Sequence, residues 1–237
     1  MNYLTGIANI YKPIGKTSAF AVAVIRRITK IKKVGHTGTL DPLATGVLPI
    51  CIGRESTRLS DIIMAEDKQY RTVLKLGQTT TTQDIEGEVI ETFEVNVTEE
   101  DIINAVKKFE GEIYQIPPMY SAIKIGGKKL YELARQGVEV ERKPRKINIY
   151  KLEIENIDLE NSEVTILVDC SKGTYIRTLC NDIGESLGTG GFMKSLIRTK
   201  CGGFNVENSI TLEEFERLWK EEKFDEILTP PSTYQKD

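Results

Sequence analysis

The sequence predicts an α+β fold built around a mixed, largely antiparallel sheet that is flanked by helices. Helix and strand patterns are intermingled along the chain, without the strict β-α-β alternation that is typical of a parallel sheet. Two runs of alternating hydrophobicity, residues 147–157 and 163–171, face each other across a polar turn at 158–163, as in a hairpin. The chain has 237 residues, of which 40% are hydrophobic, and can bury a full-sized core. We therefore expect one domain with insertions over residues 1–237.

The N-terminal part of the chain predicts a strand followed by a helix. Residues 4–13, LTGIANIYKP, have the pattern of a strand that stops at Pro13. Thr17 or Ser18 can then cap a helix, because either hydroxyl can accept a hydrogen bond from the first turn. The apolar residues of this helix recur at helical spacing: Val22, Ile25 and Ile28.

The next segment predicts two more strands with a helix between them. Residues 47–53, VLPICIG, form an apolar run typical of a buried strand, and a short helix is expected near 56–64. The run 67–77, DKQYRTVLKLG, alternates between apolar and polar residues. Tyr70 therefore lies near the start of a half-buried strand.

The remaining elements are mostly helical apart from the hairpin. TEED at 98–101 is a helix-start signature, and residues 111–137 combine a Pro-Pro break, a Gly-Gly turn and a basic helix. Residues 173–188 predict an amphipathic helix, and Thr211 caps the last one, with Glu214 three positions later.

One loop concentrates the candidate chemistry. Residues 35–46, GHTGTLDPLATG, surround a single carboxylate, Asp41, and include the chain's one histidine, His36. Asp-Pro commonly opens a turn, so the residues alone leave two roles open for Asp41. It either accepts backbone hydrogen bonds in a turn or acts as a nucleophile or base without a cofactor.

Several other chemistries are excluded by the sequence. Residues 13–18, PIGKTS, end like a phosphate-binding loop, but Ile10 stands where that motif requires its first glycine. One histidine cannot build a multi-histidine metal site, and a zinc deaminase would need an H-x-E and a P-C-x-x-C motif. There is no G-x-S-x-G elbow for a serine hydrolase. The four cysteines lie far apart, and we expect them to be buried thiols.

Charge is segregated along a chain whose net charge is −3. Residues 1–60 contain nine basic side chains against two acidic ones, and residues 124–151 contain nine against three, whereas acids dominate 84–112 and 207–226. This segregation can build a basic face, although such runs are commonly just solvated surface. The sequence has no signal-peptide pattern and no apolar run of the ~18 residues that span a bilayer, so we expect a cytoplasmic protein.

Several motifs, taken in order, resemble the bacterial tRNA pseudouridine synthase B family. GTLDP in the Asp41 loop is the central motif, and YKPIGKTS precedes it. Residues 67–89, 116–145 and 170–191 are similar to family segments in the same order, so the resemblance covers residues 5–205. It implies a pseudouridine synthase fold with RNA-binding loops. It also implies an enzyme that isomerises the uridine at position 55, in the T-arm loop of tRNA, to pseudouridine.

The same resemblance implies how the reaction is carried out. The base is turned out of its stack, and the glycosidic bond is cleaved and re-formed with the help of an aspartate. The implied partner is the T-arm stem-loop of tRNA, with no cofactor, no metal and no membrane, and we expect a monomer. The resemblance identifies Asp41 as the essential aspartate, acting either on the ribose or on the base, and Arg177 as its cationic partner.

Further roles follow from the same match. Tyr70 is expected to stack on the target uracil and Leu196 to floor the base pocket. His36 is expected to insert against neighbouring bases, and Lys12 to support the loop or to contact phosphate. Gly38 and Thr39 allow the loop backbone to approach the turned-out nucleotide.

Three other functions stay open at this stage. The first is a noncatalytic module that folds tRNA, and the second is a pseudouridine synthase acting on a different RNA. The third is a hydrolase with an aspartate nucleophile, which would need a second catalytic carboxylate or a metal-binding acid cluster.

Family members also carry a further RNA-binding domain of the type shared with archaeosine transglycosylases (PUA type). Residues 206–237 provide one acidic helix and a tail, so we expect this domain to be absent.

Overall fold

The computed structural model describes residues 4–234, and within this range it contains strands, α-helices and two short 3-10 helices. The strands are β1 (Gly6–Lys12), β2 (Val34–His36), β3 (Thr45–Ile52), β4 (Lys68–Leu76), β5 (Gln78–Thr80), β6 (Val89–Thr92), β7 (Gly111–Gln115), β8 (Lys124–Ile125), β9 (Lys128–Lys129), β10 (Arg145–Asp158), β11 (Glu163–Cys170), β12 (Gly191–Cys201) and β13 (Phe204–Asn205). The α-helices are α1 (Ser18–Thr29), α2 (Arg54–Arg58), α3 (Ser60–Ala65), α4 (Glu99–Lys107), α5 (Leu130–Ala134), α6 (Ile176–Ser186), α7 (Leu212–Lys220) and α8 (Phe224–Ile227). The 3-10 helices are Val206–Asn208 and Pro231–Tyr234.

The chain divides into two compact units. The first unit comprises the residues up to Tyr70 together with those from Leu196 onward, and the second unit is Arg71–Ser195. Strands β4 and β12 each have residues in both units.

The sheet of the first unit is centred on β3. Strand β1 pairs with β3 antiparallel from Gly6 opposite Ile52 to Lys12 opposite Gly46, and β2 pairs antiparallel with the far end of β3. Strand β12 pairs with β3 in parallel, with Arg198 opposite Gly46. Because β2 and β3 are consecutive antiparallel neighbours, the segment between them, residues 37–44, is a loop at one edge of this sheet. We call it the Asp41 loop.

One buried cluster of the first unit brings together side chains of β1, β3, α3, β12 and β13. It consists of Ile7, Val47, Cys51, Leu59, Ile63, Cys201 and Phe204. The C-terminal segment closes over β1, since Thr229 and Ile7 exchange two backbone hydrogen bonds of 2.9 Å. Tyr234 stacks on Phe204 with ring centroids 5.9 Å apart.

The sheet of the second unit contains the predicted hairpin. Strands β10 and β11 pair antiparallel from Asp158 opposite Glu163, and β7 pairs antiparallel with the other side of β10. Strand β11 also neighbours β4. Helix α6 packs closely on the turn that follows it, because a Cβ added at Gly184 would lie 2.4 Å from the carbonyl carbon of Gly190.

The structure confirms the predicted α+β class and most of the elements. Thr17, Thr98 and Thr211 cap α1, α4 and α7, each accepting a hydrogen bond from a first-turn N–H. All four cysteines are buried and free, as predicted. No helix among residues 4–234 is long and apolar enough to cross a membrane.

Several elements differ from the sequence prediction, and strands β2, β5, β6 and β7 are among those that were not predicted. The single helix expected near 56–64 is two helices, α2 and α3, which break at Leu59. Strand β12, eleven residues long, was not predicted at all. Its pattern is irregular because Arg198 and Thr199 are buried in it, which hides the alternation by which a strand is recognised.

Candidate active site

The Asp41 loop is fixed by hydrogen bonds on both sides of Asp41. The hydroxyl of Ser18, at the start of α1, accepts from the N–H of Leu40 at 2.8 Å and donates to the carbonyl of Leu40 at 3.1 Å. The N–H of Ala44 donates to the Asp41 carbonyl at 3.0 Å, which closes a turn over Pro42. Hydrogen bonds therefore hold the backbone on both sides of the half-buried Asp41.

Lys12, the last residue of β1, is a buried cation that supports this loop. Its Nζ donates to the carbonyl oxygens of Pro13 (2.9 Å), Lys16 (2.5 Å) and Pro42 (3.2 Å). Burial, the largest cause, lowers the pKa of Lys12 to about 8; the charge of Asp41 raises that pKa and the charge of Arg198 lowers it further. These contacts favour loop support over phosphate contact as the role of Lys12.

Arg198 is a second buried cation at the loop, and it was not predicted as a site residue. Its side chain is 1% exposed; Nε donates to the Val47 carbonyl at 2.7 Å and Nη2 to the Gly38 carbonyl at 3.3 Å. Opposite it, Gly46 has a φ of +99°, and a Cβ there would lie 2.3 Å from the Arg198 carbonyl oxygen. One signal could have revealed Arg198: it lies two residues after Leu196, so both occupy one face of a strand.

His36 ends β2 at the entrance to the loop. It is half-buried, and its Nδ1 accepts the N–H of Gly38 at 3.3 Å. Burial, and then the charge of Arg198, lower the pKa of His36 below its usual 6.5. The ring is therefore neutral at pH 7, with its proton on Nε2 because Nδ1 is an acceptor.

The other predicted residues of the first unit border the loop or lie on the neighbouring strands. Gly38 has a φ of +138°, which favours glycine, and Thr39 is exposed. Tyr70 is half-buried in β4, and Leu196 is buried in β12. All predicted site residues except Arg177 thus belong to the first unit.

Arg177 lies in the first turn of α6, in the second unit, and is buried. Nη1 donates to the carbonyl of Thr82 at 3.1 Å and lies 3.6 Å from a carboxylate oxygen of Asp84. Nη2 donates to the carbonyl of Tyr120 at 2.7 Å. Asp84 was not predicted as a site residue, because it lies at the start of an acidic stretch that has the pattern of solvated surface. The pairing of Arg177 with Asp41 stays a prediction.

A cavity of about 510 Å³ in the second unit is bounded by the same Thr82 and Tyr120. Its lining includes three carboxylates and one guanidinium. The carboxylates are those of Glu91, Glu139 and Glu185, and the guanidinium is that of Arg142. An RNA backbone is repelled by such a lining. The cavity therefore does not suit a polyanion.

Two family models match consecutive stretches that together cover most of the chain. A model described as "TruB family pseudouridylate synthase (N terminal domain)" matches residues 26–176, and one described as "tRNA pseudouridylate synthase B C-terminal domain" matches 177–233. The chain belongs to the TruB family of pseudouridylate synthases. It is an isomerase that acts on RNA, as the sequence motifs predicted.

Curated relatives agree with this assignment. A tRNA pseudouridine synthase B of Clostridium tetani (strain Massachusetts / E88) is 54% identical over 228 residues, covering 96% of this chain and 76% of the relative. One of Alkaliphilus oremlandii (strain OhILAs) is 53% identical, covering 96% of this chain and 74% of the relative.

A solved structure confirms the pseudouridine synthase fold expected of a TruB family member. A chain in the crystal structure of a Cbf5-Nop10-Gar1 complex is 32% identical, with a TM-score of 0.76 over 97% of this chain. This chain spans 61% of the length of that one.

Proposed function

We propose that this TruB family enzyme isomerises the uridine at position 55, in the T-arm loop of tRNA, to pseudouridine, with Asp41 as the essential carboxylate. The observation that carries the proposal is the Asp41 loop, whose backbone is held by Ser18 before Asp41 and by Lys12 after it. A carboxylate fixed in this way can be presented to a reacting sugar or base without reorganisation. The relatives named tRNA pseudouridine synthase B support tRNA as the substrate.

The reaction is an isomerisation and consumes no other reactant. The bond between N1 of uracil and C1′ of ribose breaks, and a bond between C5 and C1′ forms. The proton on C5 leaves to solvent, and N1 gains a proton, so the product has the composition of the substrate. Asp41 assists the cleavage either at the ribose carbon or on the base, and Arg177 orients and pairs with its carboxylate.

The base must leave its stack before either route can operate, which typically costs a few kcal/mol. Tyr70 stacks on the turned-out uracil, and Leu196 forms the apolar floor beneath it. His36 fills the gap among the remaining bases, a role suited to an imidazole that is neutral at pH 7. Tyr70 also assists the late removal of the C5 proton.

The basic stretches provide the cationic side chains that bind the phosphates of the RNA backbone. In residues 16–33 the cationic side chains are exposed, namely those of Lys16, Arg26, Arg27, Lys30, Lys32 and Lys33. Residues 124–146 supply further cations. Because binding through phosphates releases counterions, the affinity for tRNA falls steeply as the salt concentration rises.

We propose that the enzyme works as a cytoplasmic monomer.

The deciding experiment measures tritium release from a tRNA transcript carrying uridine labelled at C5, with wild type and Asp41→Asn side by side. Release by wild type alone, lost when the target uridine of the T-arm is replaced, is the expected result. Release that survives the replacement identifies a synthase acting on another uridine. Unchanged release by Asp41→Asn would falsify the role of Asp41, and binding without release by wild type favours the tRNA-folding module.

A further inference from the structure

Arg198 joins the Asp41 loop to strand β3. Gly38, whose carbonyl accepts from Nη2, lies three residues before Asp41, and Val47, whose carbonyl accepts from Nε, lies six residues after it. One rigid planar guanidinium thus holds the backbone both before and after Asp41. The side chain is 1% exposed, so these are not the shifting contacts of a surface arginine.

A purely structural explanation of this arrangement is unsatisfactory. Arg198 is a buried cation within electrostatic reach of another, since its charge contributes to lowering the pKa of Lys12. The carboxylate of Asp41 offsets part of this repulsion, since its charge raises the pKa of Lys12, but burying two cations beside one carboxylate still costs desolvation that an apolar residue would avoid. Such an arrangement is expected where a particular geometry is needed at a site of chemistry.

We propose that Arg198 is a positioning residue for the isomerisation: its guanidinium ties the carbonyls of Gly38 and Val47 together and thereby fixes Asp41 for its attack on the nucleotide. This proposal rests on the function proposed above for Asp41. Arg198 does not touch the substrate; it acts through the backbone of the Asp41 loop. Lysine cannot replace it, because one ammonium nitrogen cannot occupy the separate positions of Nε and Nη2.

The test compares wild type, Arg198→Lys and Asp41→Asn under single-turnover conditions, and measures the rate of tritium release and the Kd for tRNA separately. Arg198→Lys keeps the charge and removes the bridge. The expected result is a single-turnover rate lowered by about 100-fold with a Kd within about threefold of wild type, since a misplaced catalytic group costs rate rather than binding.

A matched control separates positioning from general destabilisation. Leu218 is buried in α7 and belongs neither to the Asp41 loop nor to the residues that hydrogen-bond with it, and Leu218→Ala lowers stability by opening a cavity. The proposal expects this variant to keep the wild-type rate at a temperature where circular dichroism shows that it is folded. A rate within threefold of wild type for Arg198→Lys overturns the proposal, as does an equal loss in Leu218→Ala.

The outcomes for the two proposals are distinguishable. If Asp41→Asn is active, the role of Asp41 itself is wrong; if Asp41→Asn is inactive and Arg198→Lys is fully active, only the positioning role is wrong. Should Arg198→Lys fail to fold, a crystal structure of Asp41→Asn with a T-arm hairpin decides. The contacts of Arg198 with Gly38 and Val47 must both persist there, and a separation beyond 4 Å for either overturns the proposal.

Discussion

The ammonium of Lys12 lies 3.2 Å from the carbonyl oxygen of Pro42, the residue directly after Asp41. This contact joins the end of β1 to the Asp41 loop. The ammonium has three N–H groups for three carbonyls, whereas the neutral amine has two. Loss of the proton near pH 8 therefore removes the hydrogen bond from Lys12 to one of these three carbonyls.

Lys12→Met is expected to change how stability depends on pH. The folded protein releases the Lys12 proton near pH 8, but the unfolded chain keeps it until its ordinary pKa of 10.5. Between these values the unfolded chain binds more protons, so the free energy of unfolding of wild type, relative to Lys12→Met, rises with pH. Urea unfolding of both proteins from pH 7 to 10 measures this difference. Parallel curves would contradict the lowered pKa.

The buried thiols lower the free energy of unfolding at alkaline pH, whereas the titration of Lys12 raises it. Burial raises the pKa of Cys51 and of Cys180 to about 12, so the folded protein keeps both protons while the unfolded chain loses them above about pH 9. The folded state then binds more protons, and stability falls as pH rises. We expect each thiol to contribute a loss of about 1–2 kcal/mol at pH 10. Urea unfolding of Cys51→Ala/Cys180→Ala should show a smaller decline than wild type between pH 8 and 10.

Gly46→Ala should disrupt the junction of β3 and β12. The added Cβ would lie 2.3 Å from the carbonyl oxygen of Arg198, and the φ of +99° is unfavourable for alanine. We expect a loss of stability of about 3 kcal/mol or more. Gly35→Ala is the matched control, because an added Cβ there meets no atom within 4 Å. Equal melting temperatures for Gly46→Ala and Gly35→Ala would contradict this prediction. They would show that β3 and β12 accommodate the added Cβ at no cost in stability.

His36 should tolerate an aromatic substitution that cannot carry a proton. If the imidazole stacks among bases, His36→Phe retains tritium release within about threefold of wild type, and His36→Ala loses about tenfold, because base stacking is worth ~1–3 kcal/mol. Both variants are measured at pH 7, where the lowered pKa keeps the wild-type ring neutral. Inactivity of His36→Phe with normal folding would indicate proton transfer instead.

Arg177→Ala should lose both activity and stability. Removal of the guanidinium leaves the buried carboxylate of Asp84 without its ion-pair partner, which costs about 3–5 kcal/mol. The predicted pairing with Asp41 requires in addition a large loss of tritium release at temperatures where the variant is folded. A structure of the RNA complex in which the side chains of Asp41 and Arg177 are well beyond hydrogen-bond distance would count against that pairing.

Local signals in the sequence predicted the elements whose causes are local. Thr211 was predicted as the cap of α7, Thr17 as one of two candidates for α1, and a helix start at 98–101, because a hydroxyl directly before a helix can accept a hydrogen bond from a first-turn N–H. The hairpin of β10 and β11 was predicted because alternation on both sides of a polar turn fixes the register.

The parts of the site that depend on distant residues could not be predicted in this way. Arg198 and Asp84 are buried charges whose partners are remote in sequence or are backbone carbonyls. Neither a hydrophobic pattern nor a charge count distinguishes such a residue from an exposed one. The ordered family motifs identified Asp41, whereas Asp84, which lies within the matched segment 67–89, and Arg198 became visible as site residues only through their contacts.

The hydrogen bond from Arg198 to Gly38 joins residues 160 positions apart. During synthesis on the ribosome, the Asp41 loop therefore emerges long before the guanidinium that joins it to β3. Loop closure over such a distance is slow and pays its entropy before any contact is gained. The nascent enzyme can be expected to acquire its catalytic geometry late, after β12 has been translated.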